Sequence, residues 1–177
     1  MTAAETPDPF RLRVPDRVAP VPFRVGHGYD LHRLKKGGRL MLAGVLVSEE
    51  VGPIAHSDGD VVIHATVDAL LGAMAWGDIG QHFPDSDPRW KGAASTVFLD
   101  AVFNEISRFD YGLLTLDVTV LAESPRIGPF REQMVRHLAS RLGGEVNIKA
   151  GTNEGCDAIG RGEAIAAHAV VLLQADF

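Results

Sequence analysis

The stretch AHSDGDVVIHATVDALLGAMAWGDIGQHFPDSDPRWKG, residues 55–92, decides how this chain is read. Within it, Ser57 to Asp60 has the Ser-x-x-Asp spacing of a helix start, directly before an apolar run. A helix is expected from about Asp60 to Trp76. Val61, Val62, Ile63, Val67, Leu70 and Leu71 make it apolar nearly all round, so it should be buried. A buried helix gains nothing from a free imidazole, so His64 needs a partner. The following residues, 77–92, are rich in Gly, Pro and Asp. A loop this long in a compact domain is usually functional or disordered.

Working upstream, FRVGHGYDLH (23–32) reads as a first strand, and residues 40–47, interrupted by Gly44, as a strand or hairpin arm. Asp30 and His32 are two apart on the strand, so their side chains share a face. With His64 they make a three-ligand set of the kind zinc takes, with a fourth position left for substrate or water. The spacing alone is equally met by a chance Asp-x-His and a hydrogen-bonded core histidine. Asp68, one helical turn after His64, either orients its ring or is a solvated helix residue. His56-Ser57-Asp58 offers donors to an anion at a helix N-terminus; the plainer role is N-capping by Ser57 or Asp58.

Downstream, Phe98, Val102, Ile106 and Phe109 suit an amphipathic helix. Residues 114–121 alternate, with Leu114, Leu116, Val118 and Val120 on the face expected to be buried. Pro129 suits the first position of a third helix, striped by Met134, Val135, Leu138 and Leu142 and ended by Gly143-Gly144. Residues 146–150 and 165–173 complete the strands. The expected class is α+β (mixed α/β), a single sheet with helices packed on one face. KAGTNE (149–154) sets a hydroxyl, an amide and a carboxylate after a strand, a grouping that suits Mg²⁺ with phosphate oxygens. Arg161 between Gly160 and Gly162 has room to fork onto phosphate. Each also reads as a turn with a surface ion pair. No Gly-x-Ser-x-Gly turn exists, which disfavours a serine hydrolase.

The bulk numbers set limits. At 177 residues, one domain is expected, residues 23–177, preceded by a flexible arm over residues 1–22 that holds five prolines. The formal net charge of -6 disfavours nucleic acid and anionic membranes as partners. No apolar run approaches the roughly 20 residues of a membrane span, and the N-terminus lacks the apolar core of a secretory signal. The lone Cys156 fits a reducing, cytoplasmic setting.

VGHGYDLH (25–32), the 55–92 stretch, VTVLAESPRI (118–127), VNIKAGTNE (146–154) and IGRGEAIAAHAVVLL (159–173) occur in the order found in one family. Together they resemble the cyclodiphosphate synthases of the methylerythritol phosphate pathway of isoprenoid synthesis, over nearly everything from Arg24 to Leu173. The resemblance implies a homotrimer with each site between adjacent subunits, acting on a cytidine diphosphate substrate and releasing CMP. By position it makes Asp30, His32 and His64 ligands of Zn²⁺, and Glu154 the ligand of Mg²⁺ or Mn²⁺. His56 and Thr152 match the groups that stabilise the transition state. Leu31 and Ser57 flank these on the substrate side. Asp78, Ile79 and Gly80, with Phe83, Pro84, Asp85, Ser86 and Asp87, match the loop holding the methylerythritol part. Ala122, Pro125 and Arg126, with Gly151, Thr152 and Asn153, match the stretches around the cytidine and its phosphates. Some relatives are fused to the preceding cytidylyltransferase, which makes that enzyme an expected partner.

The chain departs from the family at several positions. Arg126 stands where many members have Lys, and Gly151 where a Thr or Ser is common. Cys156, Asp157 and Ala158 replace a frequent Leu-Gly-Phe, so the ring that accompanies Arg161 at the trimer's central cavity is absent. Two other readings use the same residues. One is a zinc-dependent phosphodiesterase or pyrophosphatase; the other is a non-catalytic module binding an isoprenoid diphosphate.

Overall fold

The computed structural model describes residue 12 and residues 14–175. Its frame is a five-stranded sheet in the order β4-β1-β7-β5-β6, with a separate two-stranded sheet, β2-β3. The strands are β1 (Phe23–Lys36), β2 (Leu40–Leu42), β3 (Val45–Ser48), β4 (Val51–Pro53), β5 (Tyr111–Leu121), β6 (Glu145–Gly151) and β7 (Ala164–Ala175). The helices are α1 (Val61–Met74), α2 (Ile79–His82), α3 (Thr96–Ser107), α4 (Arg131–Leu142) and α5 (Asp157–Gly160). The α+β class stands, but the expected single sheet is two: Ala43, at φ 52°, and Gly44 turn β2 back on β3 as a separate hairpin.

The central strand pair explains why α1 lies where it does. Gly26, Gly28, Asp30 and His32 share one face of β1. A Cβ at Gly26 would lie 1.8 Å from the Ala69 carbonyl oxygen, and one at Gly28 1.9 Å from that of Ala65. The two glycines let α1 settle directly onto the strand, and this brings His64 down beside Asp30. Gly28→Ala is therefore expected to lower stability by about 3 kcal/mol, because helix backbone rather than a movable side chain blocks the methyl. A denaturant midpoint within error of the parent would contradict it.

Asp60 begins α1. Its Oδ1 accepts hydrogen bonds from the Val62 and Ile63 amides, each at 3.1 Å, and from the Ala43 amide at 2.9 Å. Its Oδ2 accepts from the Gly44 amide at 2.7 Å, so one carboxylate joins the helix start to the hairpin turn. Full burial raises the Asp60 carboxyl above its ordinary range, while the amides of Gly44, Ile63 and Ala43 pull it down. Capping thus falls to Asp60, not to Ser57 or Asp58.

Two other expectations change. In β5 a bulge between Leu113 and Thr115 resets the alternation: Leu113, Leu116, Val118 and Val120 are buried, and Leu114 is 42% exposed. Pro129 lies in a short 3₁₀ turn, Gly128–Phe130, ahead of α4. Of the expected arm, residues 1–11 and 13 lie outside the described residues. Leu12 is buried in the main core, Val14 and Val18 pack against it, and the Tyr111 hydroxyl donates to the Val21 carbonyl at 2.7 Å.

The main core lies between the sheet and helices α1, α3 and α4. Among the described residues, the opposite sheet face is covered at one end, where Ile159 and Ala158 pack on Ala164, Ala166 and Leu121. Elsewhere that face leaves Val25 69%, Tyr29 46%, Leu31 44% and Val170 43% exposed. Among the described residues, no helix is long and apolar enough to cross a membrane.

Candidate metal centre

Asp30 and His32 come from β1, and His64 from the first turn of α1. His64 Nδ1 is 3.0 Å from Asp30 Oδ2, and His32 Nδ1 is 3.4 Å from the same oxygen. One donor atom from each residue lies within 4.8 Å of the others, and all three are half-buried. Donors that share one cation at roughly 2.0–2.2 Å each lie no more than about 4.4 Å apart, and the 3.0 and 3.4 Å separations fall inside that limit. An aspartate oxygen and an imidazole nitrogen this close each present a lone pair, so a proton or a metal must lie between them.

Burial pushes the His64 imidazole down, but the hydrogen bond to Asp30 and the charges of Asp30, Asp60 and Asp58 outweigh it, and the net shift is upward from 6.5. The metal-free ring thus holds its proton more tightly than a free histidine, and this stabilises the metal-free fold below pH 6.5 and is lost as pH rises through the folded value. A metal must displace that proton. Divalent-metal affinity is therefore expected to fall about tenfold per pH unit as the solution is acidified below His64's raised pKa. Chelator competition between about pH 8 and pH 6 reads this directly, and a flat profile would contradict it.

The three donors open into a cleft of ≈ 440 Å³. Of the residues expected at the site, Asp30, His32, His56, Ser57, His64, Ile79, Gly80, Phe83, Pro84, Asp85 and Ser86 line it, with Ile54, Ala55, Trp90 and Phe98. The Nε2 atom of His56 is buried and has no hydrogen-bond partner among the described residues. The 77–92 loop is ordered by packing: Phe83 lies 4.6 Å from Phe98 and 5.3 Å from Trp90, ring centre to ring centre. Asp78 caps α2 by accepting from the Gln81 amide at 3.0 Å, and Asp87 pairs with Arg89. Neither Asp78 nor Asp87 lines the cleft.

Asp68 does not orient His64. Its Oδ1 accepts from the Ile79 amide at 2.7 Å and so anchors the loop to α1. The far nitrogen of His64 instead meets Ser95 Oγ at 2.8 Å and Ser57 Oγ at 3.2 Å. Sequence reasoning missed Ser95, because 31 positions separate it from His64 and no local pattern marks it. Asp58, its partner, lies within HSDGD, where neither capping nor anion binding points to Ser95.

The remaining expected residues lie apart from this cleft. Leu31 turns its side chain to the opposite sheet face from Asp30. Asp30 faces Ala167, which faces Val120, which faces Ala150. Three strand spacings of about 4.8 Å, on the order of 14 Å, thus separate the metal donors from the start of 151–154. Ala122 is buried at the end of β5, and Pro125 and Arg126 follow it in a loop. The neighbouring Ile127 and Gly128 line a second cleft of ≈ 550 Å³ with Arg131, Ile148, Lys149 and Ala150. Thr152 Oγ1 donates to Glu154 Oε1 at 3.1 Å, and Asn153 Nδ2 to Asp157 Oδ2 at 2.8 Å. Arg161 pairs with Glu163, and Ala158 packs on the far face with Ile159. Gly151 ends β6.

Fold and site together define a class: an α+β protein with a three-donor group able to hold a metal, in a cleft beside strand β1 and a buried helix. Residues 23–174 match the YgbB family, and the chain belongs to that family. It is 49% identical over 156 residues to the chloroplastic 2-C-methyl-D-erythritol 2,4-cyclodiphosphate synthase of Oryza sativa, covering 86% of this chain and 70% of that one. A CDP-bound structure of a 2C-methyl-D-erythritol-2,4-cyclodiphosphate synthase superposes with a TM-score of 0.79 at 40% identity, covering 85% of this chain and 100% of that one. The bifunctional IspDF of Campylobacter jejuni gives a TM-score of 0.83 at 36% identity; the match covers 87% of this chain and 42% of that one.

Proposed function

We infer that the chain is a cyclising, CMP-releasing phosphorus–oxygen lyase. It converts 4-diphosphocytidyl-2-C-methyl-D-erythritol 2-phosphate to 2-C-methyl-D-erythritol 2,4-cyclodiphosphate and CMP. The observation that carries this reading is the Asp30–His32–His64 group at the floor of a cleft, in a chain whose relatives are named for that reaction.

The 2-phosphate attacks the β-phosphorus of the same molecule, so the protein gains most from orientation and charge neutralisation. Asp30, His32 and His64 would hold Zn²⁺ and Glu154 a Mg²⁺ or Mn²⁺ ion, which supply positive charge to the phosphate oxygens when bound. In this reading the His56 ring, which lines the cleft, donates to a phosphate oxygen, and the Thr152 hydroxyl does the same from the other half of the site. The anchored loop, through Ile79, Gly80, Phe83, Pro84, Asp85 and Ser86, walls off the methylerythritol part. Ala122 to Gly128 and Gly151 to Asn153 take the cytidine and its phosphates; the CDP-bound relative supports a cytidine diphosphate as ligand.

The working assembly is a homotrimer with shared sites. Two features support it: the apolar, largely open sheet face and the separation of the two groups of site residues within one chain. The bifunctional relative supports a cytidylyltransferase of the same pathway as partner. The place of action proposed from composition is the cytoplasm, although the rice relative is named as chloroplastic.

Incubation with the substrate and Mg²⁺, followed by phosphorus NMR, tests the reaction. A cyclic diphosphate with CMP is the expected outcome. An open-chain phosphate would identify a phosphodiesterase, and no turnover would identify a binding module.

A further inference from the structure

His64 has two ring nitrogens, and only one can face a metal. Nδ1 faces Asp30; Nε2 faces Ser95 Oγ at 2.8 Å. The hydrogen count on the far side decides what Nε2 carries. Asp58 accepts from the Ser95 amide at 3.0 Å on Oδ2 and from the Asp60 amide at 3.3 Å on Oδ1, so it acts as an acceptor. The Ser95 hydroxyl donates its only proton to the same Asp58 Oδ1. Towards His64 that oxygen therefore has only a lone pair left, and Nε2 must carry the hydrogen.

Resting on the metal reading of the site, we propose that Asp58 and Ser95 are positioning residues: they lock His64 as the Nε2–H tautomer and so direct the Nδ1 lone pair at the metal. Ser95 is fully buried and is carried on the turn that opens α3, so its oxygen is fixed by the fold. Ser57 also lies 3.2 Å from Nε2, but it accepts from the Gly59 amide and keeps its own proton free to rotate. It does not impose a tautomer. Partners of this kind to ligating histidines commonly tune metal affinity by 10–100-fold.

The test uses the full chain with Ser95→Ala and Ser95→Thr. The alanine variant keeps the Ser95 amide bond to Asp58 and removes only the hydroxyl; threonine restores it. Nitrogen-15 NMR of the His64 ring in the zinc-loaded parent is expected to show the hydrogen on Nε2. Zinc affinity, by chelator competition, is expected to drop ~10-fold or more in Ser95→Ala and to return to within about threefold in Ser95→Thr. Circular dichroism should be unchanged in both. Zinc affinity in Ser95→Ala equal to the parent, or a hydrogen on Nδ1 in the zinc-loaded parent, would overturn the proposal. A parent chain that bound no zinc would instead overturn the metal reading, so the two failures are distinguishable.

Discussion

Replacing His64 by alanine is expected to abolish tight divalent-metal binding at the Asp30–His32–His64 group and to lower kcat/KM by ~1000-fold or more, about 4 kcal/mol of transition-state stabilisation. His64 supplies one of three donors held within 4.8 Å of one another, and its removal leaves a two-ligand group on one strand. The fold should survive. The helix keeps its cap at Asp60, the two glycines still seat α1 on β1, and Asp58 and Ser95 remain bonded to each other. Metal analysis by mass spectrometry, beside circular dichroism, reads both halves of the expectation. Stoichiometric metal in a folded variant would remove His64 from the ligand set.

Mixing two inactive variants is expected to restore activity. In the proposed trimer, one chain supplies the His64 cleft and its neighbour the Thr152 stretch. Co-refolded His64→Ala and Thr152→Ala chains at equal amounts then place an intact cleft beside an intact Thr152 in about one quarter of sites, by random association. About a quarter of parental activity should return. The structural motive is the separation described above. The metal donors face α1, while the turn after Thr152–Glu154 packs through Ile159 on the other face of the sheet. Mixtures that assemble yet stay inactive would show that each site is built within one chain.

Much of this was legible because short-range rules act on neighbouring residues. Strand pleat puts Asp30 and His32 on one face whatever the rest of the chain does, and the apolar run after Asp60 can only be a buried helix. The bulge in β5 was not legible, because one extra residue leaves the composition of a strand unchanged and is fixed by pairing with β7. The role of Asp68 was not legible for a related reason. One helical turn places it near His64, but its oxygen is claimed by the Ile79 amide of a loop whose path local spacing does not state.

The sequence by itself determined the longer strands and helices, the family, and the shared face of Asp30 and His32, since each rests on a periodicity or on a motif read in order along the chain. The tertiary structure alone decided that Gly26 and Gly28 seat α1 against the strand, that Asp60 rather than Ser57 caps it, and that Ser95 stands behind His64. It also decided that the residues expected at the active site fall into two separate groups within one chain. These are contacts between segments far apart in sequence. Their energies come from backbone approach, burial and the satisfaction of particular donors, which no local pattern encodes.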